Sequence, residues 1–93
     1  MKRDEILATA EACVNGARSQ DYGPPGRDFG RTAKMWEQVL PVNGEITPEM
    51  VAICLALVKV SRLCHTPNHQ DSWVDICGYA ALGGEITTER NAT

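Results

Sequence analysis

The stretch that decides the fold runs from Val51 to Leu63, VAICLALVKVSRL. Its eight consecutive apolar residues, Val51 to Val58, leave almost no side able to face water. That is the pattern of a helix buried on most of its circumference, not of a surface helix with one apolar stripe. Lys59 and Arg62 follow at its end, three residues apart and so on one face. Thr66-Pro67-Asn68 then turns the chain, since a residue preceding proline resists helical geometry. The next helix opens near Asp71 and sets Asp71, Asp75 and Tyr79 on one stripe, with Trp73, Ile76, Cys77 and Ala80 expected in the core. A short turn makes successive helices antiparallel neighbours. The two cations are therefore expected to meet the two carboxylates across that interface.

Working outward, Thr47-Pro48-Glu49 is a strong start signal for the Val51 helix: an N-cap, a proline at the first helical position and an acid in the first turn. A preceding helix is expected over about Arg31 to Leu40, with Ala33, Trp36, Val39 and Leu40 inward. The first helix is expected from Asp4, as N-cap, to Ala17 or Arg18, with Ile6, Leu7, Ala10, Cys13, Val14 and Ala17 on its buried stripe. Between these two, Gln20 to Gly30 holds two prolines and three glycines and reads as a long irregular loop, with Tyr22 and Phe29 packing it down. The last helix is expected to end at Leu82, capped by Gly83-Gly84, with residues 84–93 a polar, fraying tail. The expectation is an all-α, antiparallel four-helix fold with a long Gly/Pro-rich loop between helices 1 and 2, forming one domain over residues 1–93.

The chain has 93 residues and only five aromatic ones, two Trp, two Tyr and one Phe. Such a core is thin, and homo-oligomerisation that buries further surface is expected. A net charge of −3 argues against general nucleic-acid binding but leaves room for a small phosphate ligand. Cys13, Cys54, Cys64 and Cys77 show no CxxC pairing and are expected as free, buried thiols. No signal peptide or bilayer-spanning run is present, so a cytoplasmic, membrane-free protein is expected.

The charged constellation admits two readings. In the structural one, Lys59 and Arg62 pair with Asp71 and Asp75, because buried charges must be paired. In the functional one, the same cluster lines a pocket for a phosphate or a metal. Arg18, Arg27 and Arg31 surround the Gly/Pro-rich loop, as solvated surface cations or as an anion-binding rim. The loop is not a Walker phosphate loop, since it lacks Gly-Lys-Ser/Thr and its prolines remove N–H donors. Gly78, inside a helix, suggests that a backbone or a ligand approaches closely there. His65 and His69 are separated by Pro67 and read as surface turn histidines.

The series Arg18, Asp21-Tyr22-Gly23, Asp28-Phe29, Trp36, Ile46-Thr47-Pro48, Lys59, Arg62, Asp71-Ser72, Asp75, Gly78-Tyr79 resembles a family of small phage and prophage proteins with no settled activity. That resemblance implies an all-helical phage accessory protein, acting in the host cytoplasm if phage-encoded. A more distant similarity runs to the nucleotide-modification-associated helical domains of phages and to MazG-like nucleotide pyrophosphohydrolases. The latter bind magnesium through E-x-x-E and E-x-x-D sets, whereas this chain has Lys59 and Arg62 where acids are wanted.

The functional expectation is binding without catalysis of a phosphorylated nucleotide or nucleotide-derived signal, with no cofactor. Arg18, Arg27, Lys59 and Arg62 would contact phosphate, Tyr22 and Tyr79 would stack on a base or close the pocket, and Asp71 and Asp75 would orient the cations. Sequestering a host defence signal would be one use of such binding. The alternatives are a magnesium-dependent pyrophosphohydrolase using Asp71, Asp75 and Glu5 or Glu11, and a protein–protein adaptor.

Overall fold

The computed structural model describes residues 1–92, apart from the side chains of residues 17–19 and 92. Its helices are α1 (Arg3–Asn15), α2 (Ala17–Tyr22), α3 (Pro25–Val39), α4 (Pro48–His65) and α5 (Gln70–Ala92). No strand occurs among the described residues. The all-α, four-helix expectation holds, with four long helices and the short α2. In space the long helices follow the order α1, α5, α4, α3, and α4 and α5 share the most extensive interface.

Two expectations about irregular segments are overturned by local chemistry. The segment 20–30 is mostly helical, and only Gly23 and Pro24 lie between α2 and α3. Gly23 turns the chain at a φ of 73°, a left-handed conformation that favours glycine. Pro24 is the N-cap and Pro25 the first helical residue of α3, where a missing N–H costs nothing. The carbonyl of Pro24 accepts from the N–H groups of Arg27 and Asp28 at 3.1 and 3.2 Å, so two breakers start a helix instead of ending one.

Gly83-Gly84, expected as a cap, instead lies inside α5, which runs on through the supposed tail. The reason is packing on either side. Leu82 and Ile86 both belong to the core cluster with Phe29, Ala33, Val51 and Ala52, so α5 buries side chains before and after the glycines. Arg90 then bonds Glu49 at the start of α4, with Nη1 2.7 Å from Oε1. A glycine inside a helix costs about 1 kcal/mol against alanine, and these tertiary contacts offset it.

The α4 boundaries agree with the sequence. Thr47 Oγ1 accepts from the Met50 N–H at 3.3 Å, and Pro48 opens the helix. Glu37 on α3 accepts the Ile46 N–H at 2.8 Å and fixes the connection leading into that cap. In α1 the N-cap is Lys2, not Asp4, and Glu5 accepts the Lys2 N–H at 3.4 Å.

Burial departs from expectation in an instructive way. Of the apolar run in α4, Val51 and Ala52 are buried, while Ile53, Leu57 and Val58 are exposed. The helix is covered on one side only within a single copy of the chain. In α5 the buried positions are Ser72, Val74, Gly78, Leu82 and Ile86, whereas Trp73 and Ala80 are exposed and Ile76 and Cys77 half-buried. Val39 and Leu40 on α3 and Leu7 on α1 also face outward, although Phe29 and Ala33 are buried as expected. Tyr22 is 54% exposed, not buried under the loop. All four cysteines are free thiols, but Cys13, Cys54 and Cys64 are exposed, not buried.

Candidate functional site at the α4–α5 turn

Residues 66–69 join α4 to α5 as a closed turn. The Thr66 N–H donates to the Arg62 carbonyl at 2.9 Å, and the His69 N–H donates to the Thr66 carbonyl at 3.1 Å. Trp73 folds back so that its indole Nε1 donates to the Pro67 carbonyl at 2.9 Å. Ser72, fully buried, shares a 2.7 Å hydrogen bond between its hydroxyl and His69 Nδ1. That bond holds the imidazole by Nδ1. The turn is therefore closed by backbone and side-chain hydrogen bonds.

Antiparallel packing about this turn brings Lys59 Nζ to 2.9 Å from Asp75 Oδ2. Both side chains are largely covered, with 17% and 27% of their area exposed. Asp75 and Tyr79 sit one turn apart and border a small cleft of about 90 Å³ with Cys13, Val14 and Gly78. Gly78 is buried, and a Cβ there would lie 3.4 Å from Val14 Cγ1. The close approach expected at this glycine is made by a side chain of α1.

Arg62 and Asp71 do not join that pair. Both are exposed, and neither makes an ion pair among the described residues. Arg62 instead lines a recess of about 230 Å³ with His65, Thr66 and His69. Asp71 lies in the first turn of α5, where the helix dipole favours its charge. The proposed four-charge network thus separates into one closed ion pair and one cation facing an open recess.

The remaining predicted contacts lie elsewhere. Arg27 is exposed on the first turns of α3. The neighbouring Gly23 and Pro25 border a cleft with Ala81, Leu82, Glu85 and Glu89 of α5. That cleft is ten to fourteen residues beyond Asp75 at its acidic end, roughly 15–20 Å along the helix axis. Tyr22, half exposed at the end of α2, belongs to that side of the molecule. The side chain of Arg18 lies outside the described residues. Glu5 and Glu11 are exposed on α1, and among the described residues no three His, Cys, Asp or Glu side chains gather as a possible metal site.

Two features escaped the sequence reading. The first is the Glu49–Arg90 bridge, which spans 41 residues and ties the end of α5 to the start of α4. The hydrogen bond from Arg90 holds the Glu49 carboxyl at about 2, below its ordinary 4.5, and Arg90 is raised in turn. The second is an apolar groove of about 430 Å³ between α4 and α5, bordered by Ile53, Ala56, Leu57, Ile76, Tyr79 and Gly83. No described helix is long and apolar enough to cross a membrane.

Sequence comparison finds similar proteins in phages. The family described as Domain of unknown function (DUF6378) matches residues 5–87. The Gene 55 protein of Mycobacterium phage L5 is 43% identical over 77 residues, which are 83% of this chain and 49% of that protein. The Gene 55 protein of Mycobacterium phage D29 is 34% identical over 86 residues, 92% of this chain and 56% of its own length. The chain thus spans about half the length of these relatives. No solved structure matches. With a match running from the first helix to the last, the chain belongs to the DUF6378 family and has relatives among phage proteins.

Proposed function

We propose that this domain is a phage accessory protein that works by binding, not by catalysis, and that its ligand carries phosphate, as a phosphorylated nucleotide or nucleotide-derived signal does. The observation that carries this reading is the Arg62 recess. Arg62, exposed and without an ion-pair partner among the described residues, borders a recess of about 230 Å³ with His65, Thr66 and His69 beside a hydrogen-bonded turn. Guanidinium recognises phosphate with paired N–H donors, and the His69 ring is oriented by Ser72. The recess is smaller than the 300–1,000 Å³ or so of ordinary ligand pockets. It suits a phosphate group with part of a sugar, the rest of the ligand lying on the surface.

Lys59 and Asp75 tie α4 to α5 behind the turn, and Asp71 stands in the first turn of α5. Arg18, Arg27, Tyr22 and Tyr79 are contacts for a larger ligand or for one shared between copies. In a phage, tight binding of this kind removes a host signal from solution.

The test is thermal stabilisation by a panel of nucleoside phosphates and cyclic dinucleotides, with chromatography of the same mixtures. A stabilised, unconsumed ligand whose effect is lost in Arg62→Ala supports the reading. No stabilisation by any member at millimolar concentration refutes it. Product formation with magnesium favours the pyrophosphohydrolase, for which no cluster of three acids is assembled among the described residues. The adaptor reading is favoured by the exposed apolar face of α4.

A further inference from the structure

We infer that the outward face of α4 is the contact between two copies of this chain, packed antiparallel about a two-fold axis near Leu57. Met50, Ile53, Leu57, Val58 and Val60 on α4 and Trp73 on α5 are each between 42% and 58% exposed. Cys54 and Cys64 interleave with them, and none of these α4 positions is charged. Together the six larger side chains expose on the order of 500 Å² of apolar surface, at the upper end of what a monomer carries. With the groove floor and a polar rim this approaches the roughly 800 Å² per partner of a stable dimer.

The face is shaped for a helix. The ridge of Ile53 and Leu57 borders a groove whose far wall is Ile76, Ala80, Gly83 and Gly84. A Cβ on Gly84 would meet nothing within 4 Å, so nothing inside one copy requires glycine there. The missing side chain leaves room for a second helix to approach closely. Pairing two α4–α5 units across this face makes a four-helix arrangement, which supplies the burial that the apolar run of α4 lacks within one copy.

Charge selects the direction. Glu49 stands at the start of α4, and Arg62 and His65 stand at its end. A parallel pair sets like helix dipoles together, whereas an antiparallel pair opposes them and brings the Glu49–Arg90 bridge beside His65 of the other copy. In a two-fold contact centred on Leu57, residues whose numbers sum to twice 57 lie opposite one another. Met50 then faces Cys64, and Ile53 faces Ser61. This contact adjoins the Arg62 recess at His65 and does not depend on any ligand.

Sedimentation equilibrium of the intact chain between about 1 and 100 µM tests it, since a dimer is populated by mass action. The expected result is a dimer whose dissociation constant rises at least 100-fold in Ile53→Glu and in Leu57→Glu, with helical content retained because both positions are exposed. Val39→Glu, 80% exposed on α3, leaves association unchanged. Direction is read by copper-phenanthroline oxidation in a background with Cys13, Cys54 and Cys77 replaced by serine. Met50→Cys then forms a covalent dimer through Cys64, while Cys64 alone does not. A monomeric chain at about 100 µM overturns the inference, as does a dimer indifferent to both glutamates. Cross-linking through Cys64 alone overturns the antiparallel arrangement.

Discussion

Breaking the Lys59–Asp75 pair is the most direct measure of whether α4 and α5 meet as described. At 2.9 Å and an effective dielectric near 20, the gross attraction is about 6 kcal/mol. Desolvation of two ions removes most of it, at several kcal/mol for each group fully buried. Here 17% and 27% of the side-chain areas remain in water, which lowers both the penalty and the attraction. The net coupling should lie between that of surface pairs, below about 1 kcal/mol, and the 3–5 kcal/mol or so lost when a buried pair is broken. The expected value is about 1.5 kcal/mol, a melting shift of roughly 6–12 °C for a domain of this size.

The assay is a double-mutant cycle with Lys59→Met and Asp75→Asn, read as urea unfolding by circular dichroism at one fixed protein concentration. Each single change should destabilise, and the double variant should recover the coupling. A coupling below about 0.3 kcal/mol would refute the reasoning. It would mean that the two helices do not present these side chains to one another.

Other outcomes follow from the same contacts. Glu49→Gln should cost under about 1 kcal/mol near neutral pH, because the Glu49–Arg90 bridge is partly exposed and screened by solvent. Since the folded carboxyl titrates near 2 and the ordinary value is 4.5, that difference is fully present above pH 4.5 and disappears as pH falls toward 2. Paired urea titrations across that range check it. Gly83→Ala should destabilise by about 1 kcal/mol despite better helix propensity, because the new Cβ would lie 3.2 Å from the Ala52 Cβ, which is fixed to a backbone. Thermal unfolding of this variant should show the opposite sign from a helix-propensity estimate. Thr47→Ala should cost about 1 kcal/mol through loss of the α4 cap, measured the same way.

The parts of this fold legible in the sequence are those fixed by local chemistry. Thr47-Pro48-Glu49 marks α4 because capping needs only a few adjacent residues, and Pro67 marks the turn for the same reason. That the cationic end of α4 meets the acidic side of α5 could be read from the length of that turn, but not that Lys59 alone would pair with Asp75. Pro24-Pro25 misled because proline breaks or begins a helix depending on its position in the first turn, which the neighbouring composition does not reveal. Gly83-Gly84 misled because the contacts that carry α5 past them, at Ile86 and Arg90, reach back to residues far earlier in the chain. The buried side of α5 was misassigned because apolar residues occupy most sides of the helix between Trp73 and Leu82. The apolar run of α4 announced burial on most of the circumference, but only Val51 and Ala52 of it are buried within one copy, because a run of apolar residues does not say how many sides its neighbours cover. For the site, Arg62 and Lys59 share a helical face in sequence yet part company in space, because a one-turn step along α4 moves from the interface to its rim.

The indole-to-carbonyl bond that clips Trp73 onto Pro67 has an optical corollary. Trp73 sits half in solvent at the margin of the α4 face, while Trp36 packs against the interior cluster on the other side of α4. Each tryptophan therefore reports a different event through its emission. A blue shift confined to Trp73 would register something settling over the turn, and a red shift of Trp36 would register loss of the interior. Replacing either one by phenylalanine gives a protein with a single, spatially assigned light source, and no external dye is needed.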